Sequence, residues 1–201
     1  MQEIMAKPRG KRMNRGERRA QLLDVAQLII QEEGTDGLTL GYLAERAGVS
    51  KPIAYDHFGS RAGLLIALYK AFDDTQAAAL ADALERTQRQ LPEVARVVAD
   101  AYMRCCAKAG PEWHAVSAAL KGEEETEAYY RDVIDGYVDF YCKAFAPYSK
   151  LERQQLRLRC VGIIGAGEAL SQDMLSGRVD EAAAAACLAS LIVAWLSECD
   201  A

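Results

Sequence analysis

Apolar residues recur at intervals of three and four along most of the chain, and no segment alternates with the period of two that a half-buried strand shows. The pattern predicts an all-α protein of about nine helices. From about Arg15 to Glu33, Leu22, Val25, Ala26, Ile29 and Ile30 share one face, with Gly34 placed to close the helix. A short helix follows, carrying Leu40, Leu43, Ala44 and Ala47, capped by Thr39 and ended by Gly48. Ser50 is placed to cap the next, which holds Ile53, Ala54, Tyr55 and Phe58. Pro52 falls in its first turn, where a missing N–H leaves no intrahelical partner unsatisfied. After the Gly59 break, Ser60 opens a fourth helix to about Thr87, with Leu64, Leu65, Leu68 and Phe72 as its stripe. Beyond it the spacing predicts a helix from Pro92 ended by Gly110-Pro111, and a short one from Trp113 to Leu120. Three longer helices complete the chain, Glu123–Phe145, Leu151–Leu175 and Val179–Cys199.

Two short helices meeting at Gly48, with Val49 as a plug between them, form a helix-turn-helix pattern over Thr39–Phe58. In such a unit the first helix braces the DNA backbone and the second enters the major groove. Lys51, Ile53 and Tyr55 project from the start of that second helix and are the candidates for reading bases. Lys51 can donate to guanine acceptors, and Ile53 either touches a thymine methyl or packs inward. Tyr55 is a base reader or a core tyrosine. Thr39 caps its helix where a hydroxyl can also meet a phosphate. Ser50 and Pro52, at the entry to the reading helix, complete the predicted surface.

Charge looks wrong for DNA until it is divided along the chain. The net value is −5, but residues 1–70 hold 11 Lys+Arg against 8 Asp+Glu, which leaves −8 on residues 71–201. Seven basic side chains fall within the first 19 residues, and residues 1–14, with Pro8 and Gly10 and no apolar periodicity, read as a basic flexible arm. Such an arm gains affinity by displacing counterions from phosphates. Half the residues are apolar, as a globular chain requires, and no run approaches the roughly 20 needed to span a bilayer. With no apolar signal segment either, the expected location is cytoplasmic, with no membrane partner. Six cysteines lie in the second half, without CxxC or metal-ligand spacing, and read as reduced thiols. Neither a metal nor a cofactor is expected.

The run LLDVAQLIIQEEG, then LTLGYLAERAGVSKPIAYDHF, then GSRAGLL resembles the TetR family of bacterial transcriptional regulators over roughly residues 19–65. Tyr55, Phe58, Ser60 and Arg61 match the family's tyrosine–x–x–phenylalanine and the serine and basic residue that follow. Arg61 stands for the more usual lysine and Ala62-Gly63 for the usual acidic residues, which weakens the start of the fourth helix. The resemblance implies that His57 and Arg61 touch phosphates. It also implies three parts: the arm, a DNA-binding domain over 15–63, and an effector-binding and dimerisation domain over 64–201. The family binds palindromic double-stranded operators as a homodimer, is commonly repressing, and is released by a small-molecule effector in a C-terminal cavity. Tyr102, Cys106, Trp113, Tyr137, Tyr141 and Glu168 are the candidate lining, since aromatics bring area and a buried acid can orient a cation. Dimerisation through the last two helices is assigned to their small and apolar residues, Gly162, Gly165, Ala166, Ala169, Leu188, Leu191, Ile192 and Trp195.

Two other classes compete with this reading. A redox-sensing regulator would use the adjacent Cys105 and Cys106, provided they have thiolate character. An enzyme would need Cys105 or Cys106 with His114, or an acid from Glu123–Glu125, but nothing in the spacing places them together and no glycine-rich phosphate loop occurs. The chain is therefore expected not to be an enzyme.

Overall fold

The computed structural model describes residues 13–122 and 124–197, with the side chains of residues 110–114 and 122–124 outside that set. The basic arm up to Arg12, the side chains of Trp113 and His114, and Cys199 thus lie outside the described residues. Those residues form eight α-helices and one 3₁₀ turn: α1 Arg15–Glu33, α2 Leu40–Arg46, α3 Lys51–Phe58, α4 Arg61–Glu85, α5 Leu91–Gly122, α6 Glu124–Phe145, the turn Ala146–Tyr148, α7 Arg153–Leu175 and α8 Glu181–Ser197. No strand occurs among them. No described helix is long and apolar enough to cross a membrane.

The chain divides into two compact units, one ending at Leu64 and one beginning at Leu65. In the first, local signals set the helix limits. Asn14 and Glu17 form a reciprocal capping box at the start of α1, and Gly34, at φ 76°, ends it. The Thr39 side chain accepts from the Tyr42 N–H at 3.2 Å, and Gly48 takes φ 66° at the turn into α3. Leu22, Ala26, Ile29, Leu38, Leu43 and Ala54 are wholly buried and make the core. Arg46 pairs with Glu32 at 2.7 Å and Glu33 at 3.2 Å, tying α2 to the end of α1.

One detail reverses the expectation for the start of α4. The Gly63 N–H donates to the Ser60 hydroxyl at 3.0 Å, and a Cβ on Gly63 would lie 2.1 Å from the Phe58 carbonyl oxygen. Only glycine fits so tight a link between α3 and α4, so its low helix propensity is the condition for the turn.

In the second unit α5 packs against α6, α7 and α8. Val98, Ala99, Met103, Val138, Phe145, Cys160, Ile163, Leu188 and Ile192 are buried there. The predicted break at Gly110-Pro111 is not made, and α5 runs unbroken for 32 residues. A proline inside a helix costs about 3 kcal/mol, yet Met103 and Cys106 before it and Val116 and Leu120 after it are all buried, so packing on both sides carries the helix through. The wholly buried Thr126 donates its hydroxyl to the Leu120 carbonyl at 2.7 Å, which secures the passage into α6.

Candidate functional site

Within the first unit, α3 turns Ala54 and Phe58 into the core and leaves Lys51, Pro52 and Tyr55 exposed. Tyr55 is 53% exposed, which excludes the core reading of its ring. Ile53 is half-buried. The Lys51 stem lies over α2, where a Cβ on Gly41 would stand 3.6 Å from its Cε and 3.9 Å from its Nζ, so its ammonium is held beside the first turn of α2.

Ser50 occupies the cap position in extended backbone, but its side chain makes no capping bond. The reason is Pro52. Of the two N–H groups a capping oxygen can take, one belongs to the second helical residue, a proline without N–H. The other, on Ile53, donates to the Ser50 carbonyl at 3.0 Å. The exposed hydroxyl is therefore left for another acceptor or donor. Thr39 is exposed as well.

Arg61 departs from expectation. Its guanidinium donates to the Leu38 carbonyl at 3.1 Å and the Thr35 carbonyl at 2.9 Å. These bonds take two of its five N–H groups and order the loop between α1 and α2, a role the resemblance did not imply. Other cations stand near the end of α3. Arg15 reaches the Asp56 carbonyl at 3.5 Å, and the Arg19 guanidinium stands 5.5 Å from the centre of the Phe58 ring. Burial, together with the charges of Arg15, Arg19 and Arg18, holds the His57 imidazole below its ordinary pKa, outweighing the opposite pull of Asp56. Arg15, Arg18 and Arg19 together set a cationic field around His57, of the kind that receives a phosphate. Sequence reasoning placed Arg15, Arg18 and Arg19 on the first helix but counted their charge with the basic N-terminus and gave them no role of their own. In the structure they stand on ordered helix.

The second unit holds a cavity of about 110 Å³. Tyr102, Cys106, Tyr137, Tyr141 and Glu168 line it, as do Tyr69, Asp73, Ser117 and Tyr130, which sequence reasoning did not single out. Gly167 makes room for Tyr102, since a Cβ there would stand 3.1 Å from the ring. The Tyr137 hydroxyl donates to Asp73 at 2.6 Å. Glu168 pairs with Lys121 at 2.5 Å. Burial raises the pKa of Asp73 and of the lining phenols, which stay neutral donors. It also pushes the Cys105 thiol up to about 12 and the Cys106 thiol above its ordinary value. Neither has the thiolate character a redox switch needs. Among the described residues no three His, Cys, Asp or Glu side chains gather to hold a metal.

On α7 and α8, Leu188 and Ile192 are 1% and 0% exposed and fill the core of their own chain. They are thereby removed from the expected dimer surface. Gly165, Ala169 and Trp195 are exposed, and Gly162, Ala166 and Leu191 half-buried. A Cβ on Gly162 would meet the Trp195 ring at 2.5 Å, so the glycine lets the indole lie across α7. Two residues missed from the sequence join this face, Leu158 at 66% and Val161 at 46% exposure. Arginines on both sides of Leu158 hid it as part of a polar stretch.

Residues 22–68 match the model of the bacterial regulatory proteins of the tetR family. The HTH-type transcriptional activator FasR of Mycolicibacterium smegmatis is 38% identical over 79 residues, covering 39% of this chain and 36% of that protein. The match thus spans about a third of this relative's length. Among solved structures, a TetR-like transcriptional regulator from Rhodococcus sp. RHA1 superposes with a TM-score of 0.72 at 22% identity, over 94% of this chain and 100% of that one. A transcriptional regulator FadR from Bacillus subtilis, in complex with stearoyl-CoA, gives 0.72 at 17% identity, over 88% of this chain and 98% of its own. These two likenesses show a shared fold.

Proposed function

Because the chain belongs to the tetR family of bacterial regulatory proteins, we propose that it regulates transcription by binding a palindromic operator as a homodimer and leaves it when a small molecule fills the inner cavity. The observation that carries this reading is the outer face of α2 and α3. Thr39, Ser50, Lys51, Pro52 and Tyr55 are exposed together, and a tyrosine and a lysine at the start of a helix are what a major groove accommodates. His57, among Arg15, Arg18 and Arg19, supplies a phosphate clamp beside them. The apolar face of Leu158, Val161 and Trp195 supports self-association, since exposed side chains of this size lose water when covered by a second copy. Release by effector follows from reciprocity: a ligand that binds the DNA-incompetent conformation better lowers operator affinity by the same factor that DNA lowers its own. Repression is the proposed outcome. FasR, by its name, activates.

The test is operator binding by Lys51→Ala combined with Tyr55→Ala, measured by fluorescence anisotropy. Loss of a base-reading pair is expected to weaken specific binding by about 2–6 kcal/mol, at about 1–3 kcal/mol per contact, and to leave non-specific binding nearly intact. Specific affinity that survives both substitutions overturns the assignment.

A further inference from the structure

The cavity of the second unit has a charge that its walls do not balance. Of the acids lining it, Glu168 is matched by Lys121. Asp73 is different. Its carboxylate accepts from Tyr137 and forms no ion pair among the described residues, while its neighbour Lys70 pairs with Asp74 at 3.0 Å. Asp73 is partly desolvated, and burial accordingly raises its pKa. None of the described residues lining the cavity is a lysine, arginine or histidine.

Around this carboxylate stand tyrosines whose rings face different ways. Tyr69 lies one helical turn before Asp73 on the same face of α4, and its ring meets Tyr130 at 6.0 Å and 75°. Tyr137 meets Tyr141 at 6.3 Å and 62°. Edge-to-face pairs of this kind turn some ring faces, which carry the negative end of the quadrupole, toward a common space. Aromatic faces grouped with one uncompensated carboxylate form the surroundings in which an ammonium is held by cation–π attraction and by an opposite charge.

We propose that this cavity takes a compact organic monocation, a small alkylammonium, with its charge beside Asp73 and its apolar groups against Tyr69 and Tyr141, the Tyr130 ring being already faced by the Lys121 ammonium at 5.0 Å. Its role as effector rests on the regulator reading above; its chemical class does not. Size agrees, since about 110 Å³ is well below the roughly 300–1,000 Å³ of pockets for drug-sized ligands. An anionic ligand meets the Asp73 carboxylate, with Glu168 already matched by Lys121 and no lysine, arginine or histidine among the described lining, so the stearoyl-CoA held by the Bacillus subtilis FadR is not carried over to this chain.

Calorimetric titration of the full chain without DNA, at pH 7.5, decides the class. The probes are tetramethylammonium, its uncharged analogue tert-butanol, and the anion pivalate, all small enough for the cavity. Tetramethylammonium is expected to bind at least tenfold more tightly than either. Asp73→Asn, which keeps the shape and the acceptor for Tyr137, is expected to weaken it at least tenfold and to leave tert-butanol within twofold. Its melting curve, with the uncharged probe, shows that the cavity is still formed. Equal affinity for the uncharged analogue, tighter binding of pivalate, no binding of the cation, or a cation affinity unmoved in Asp73→Asn overturns the proposal. Repeating the titration with operator present separates the two readings. Cation binding that leaves operator affinity unchanged supports the site and removes the effector role, whereas intact operator binding with no cation uptake removes the ligand class alone.

Discussion

His57 sits half-buried near the end of α3, facing Arg15, Arg18, Arg19 and Asp56, and is held neutral at physiological pH by burial and by those arginines. Its lowered pKa has two consequences of opposite sign. In the free protein the unfolded chain takes up the proton first, so the folded unit loses stability as pH falls from about 6.5 through the depressed value. On DNA, a phosphate beside the ring offsets the arginine charges and favours the imidazolium. The complex then binds more protons than its parts, and operator affinity rises as pH falls through the same window. We expect a gain of about threefold to tenfold between pH 7.5 and 5.5, equivalent to about 0.7–1.4 kcal/mol, at fixed salt. His57→Gln should flatten that profile. An equal slope in the variant would assign the pH dependence to another group.

At the scale of elements, the link between α3 and α4 is decided by competing magnitudes. Gly63→Ala gains about 1 kcal/mol of helix propensity. It also drives a Cβ to 2.1 Å from a backbone oxygen that cannot move aside alone, and overpacking of this kind costs about 1–3 kcal/mol or more. The clash should win. Urea unfolding is expected to show a net loss of about 1–2 kcal/mol, and a more stable variant would mean the turn opens more readily than its geometry indicates.

How legible each element was in the sequence follows the range of the forces that fix it. The limits of α1, α2 and α3 are set by caps, turns and glycines within a few residues, and Arg15–Glu33 can be read off directly. Pro111 is also a local signal, but burial of Met103, Cys106, Val116 and Leu120 against distant helices overrides it. Asp73 was hidden for a related reason. Asp73-Asp74 reads as the polar side of α4, and only the tertiary contact with Tyr137 distinguishes the lining acid from the exposed one paired with Lys70. Small residues on α7 and α8 announced close packing, but not which helix face points outward, so Leu188 and Ile192 were placed on the wrong side and Leu158 was overlooked.

For the molecule as a whole, the division after Leu64 nearly coincides with the division of charge, basic up to residue 70 and acidic beyond. A chain whose net charge is −5 can still approach a polyanion if the charge is segregated, and the approach should weaken steeply with salt. The family match covers residues 22–68 and accounts for the basic end. The acidic end carries a tyrosine-walled cavity, whose Asp73 carboxylate accepts from Tyr137 and forms no ion pair among the described residues, and an exposed apolar face on α7 and α8. The account stands on the claim that α2 and α3 read DNA in a two-fold assembly. Selection of bound duplexes from a random pool, at about physiological salt, measures this most directly. The account predicts an enriched palindrome whose half-sites lie about one helical turn apart. Enrichment of no sequence, with and without tetramethylammonium, would contradict it.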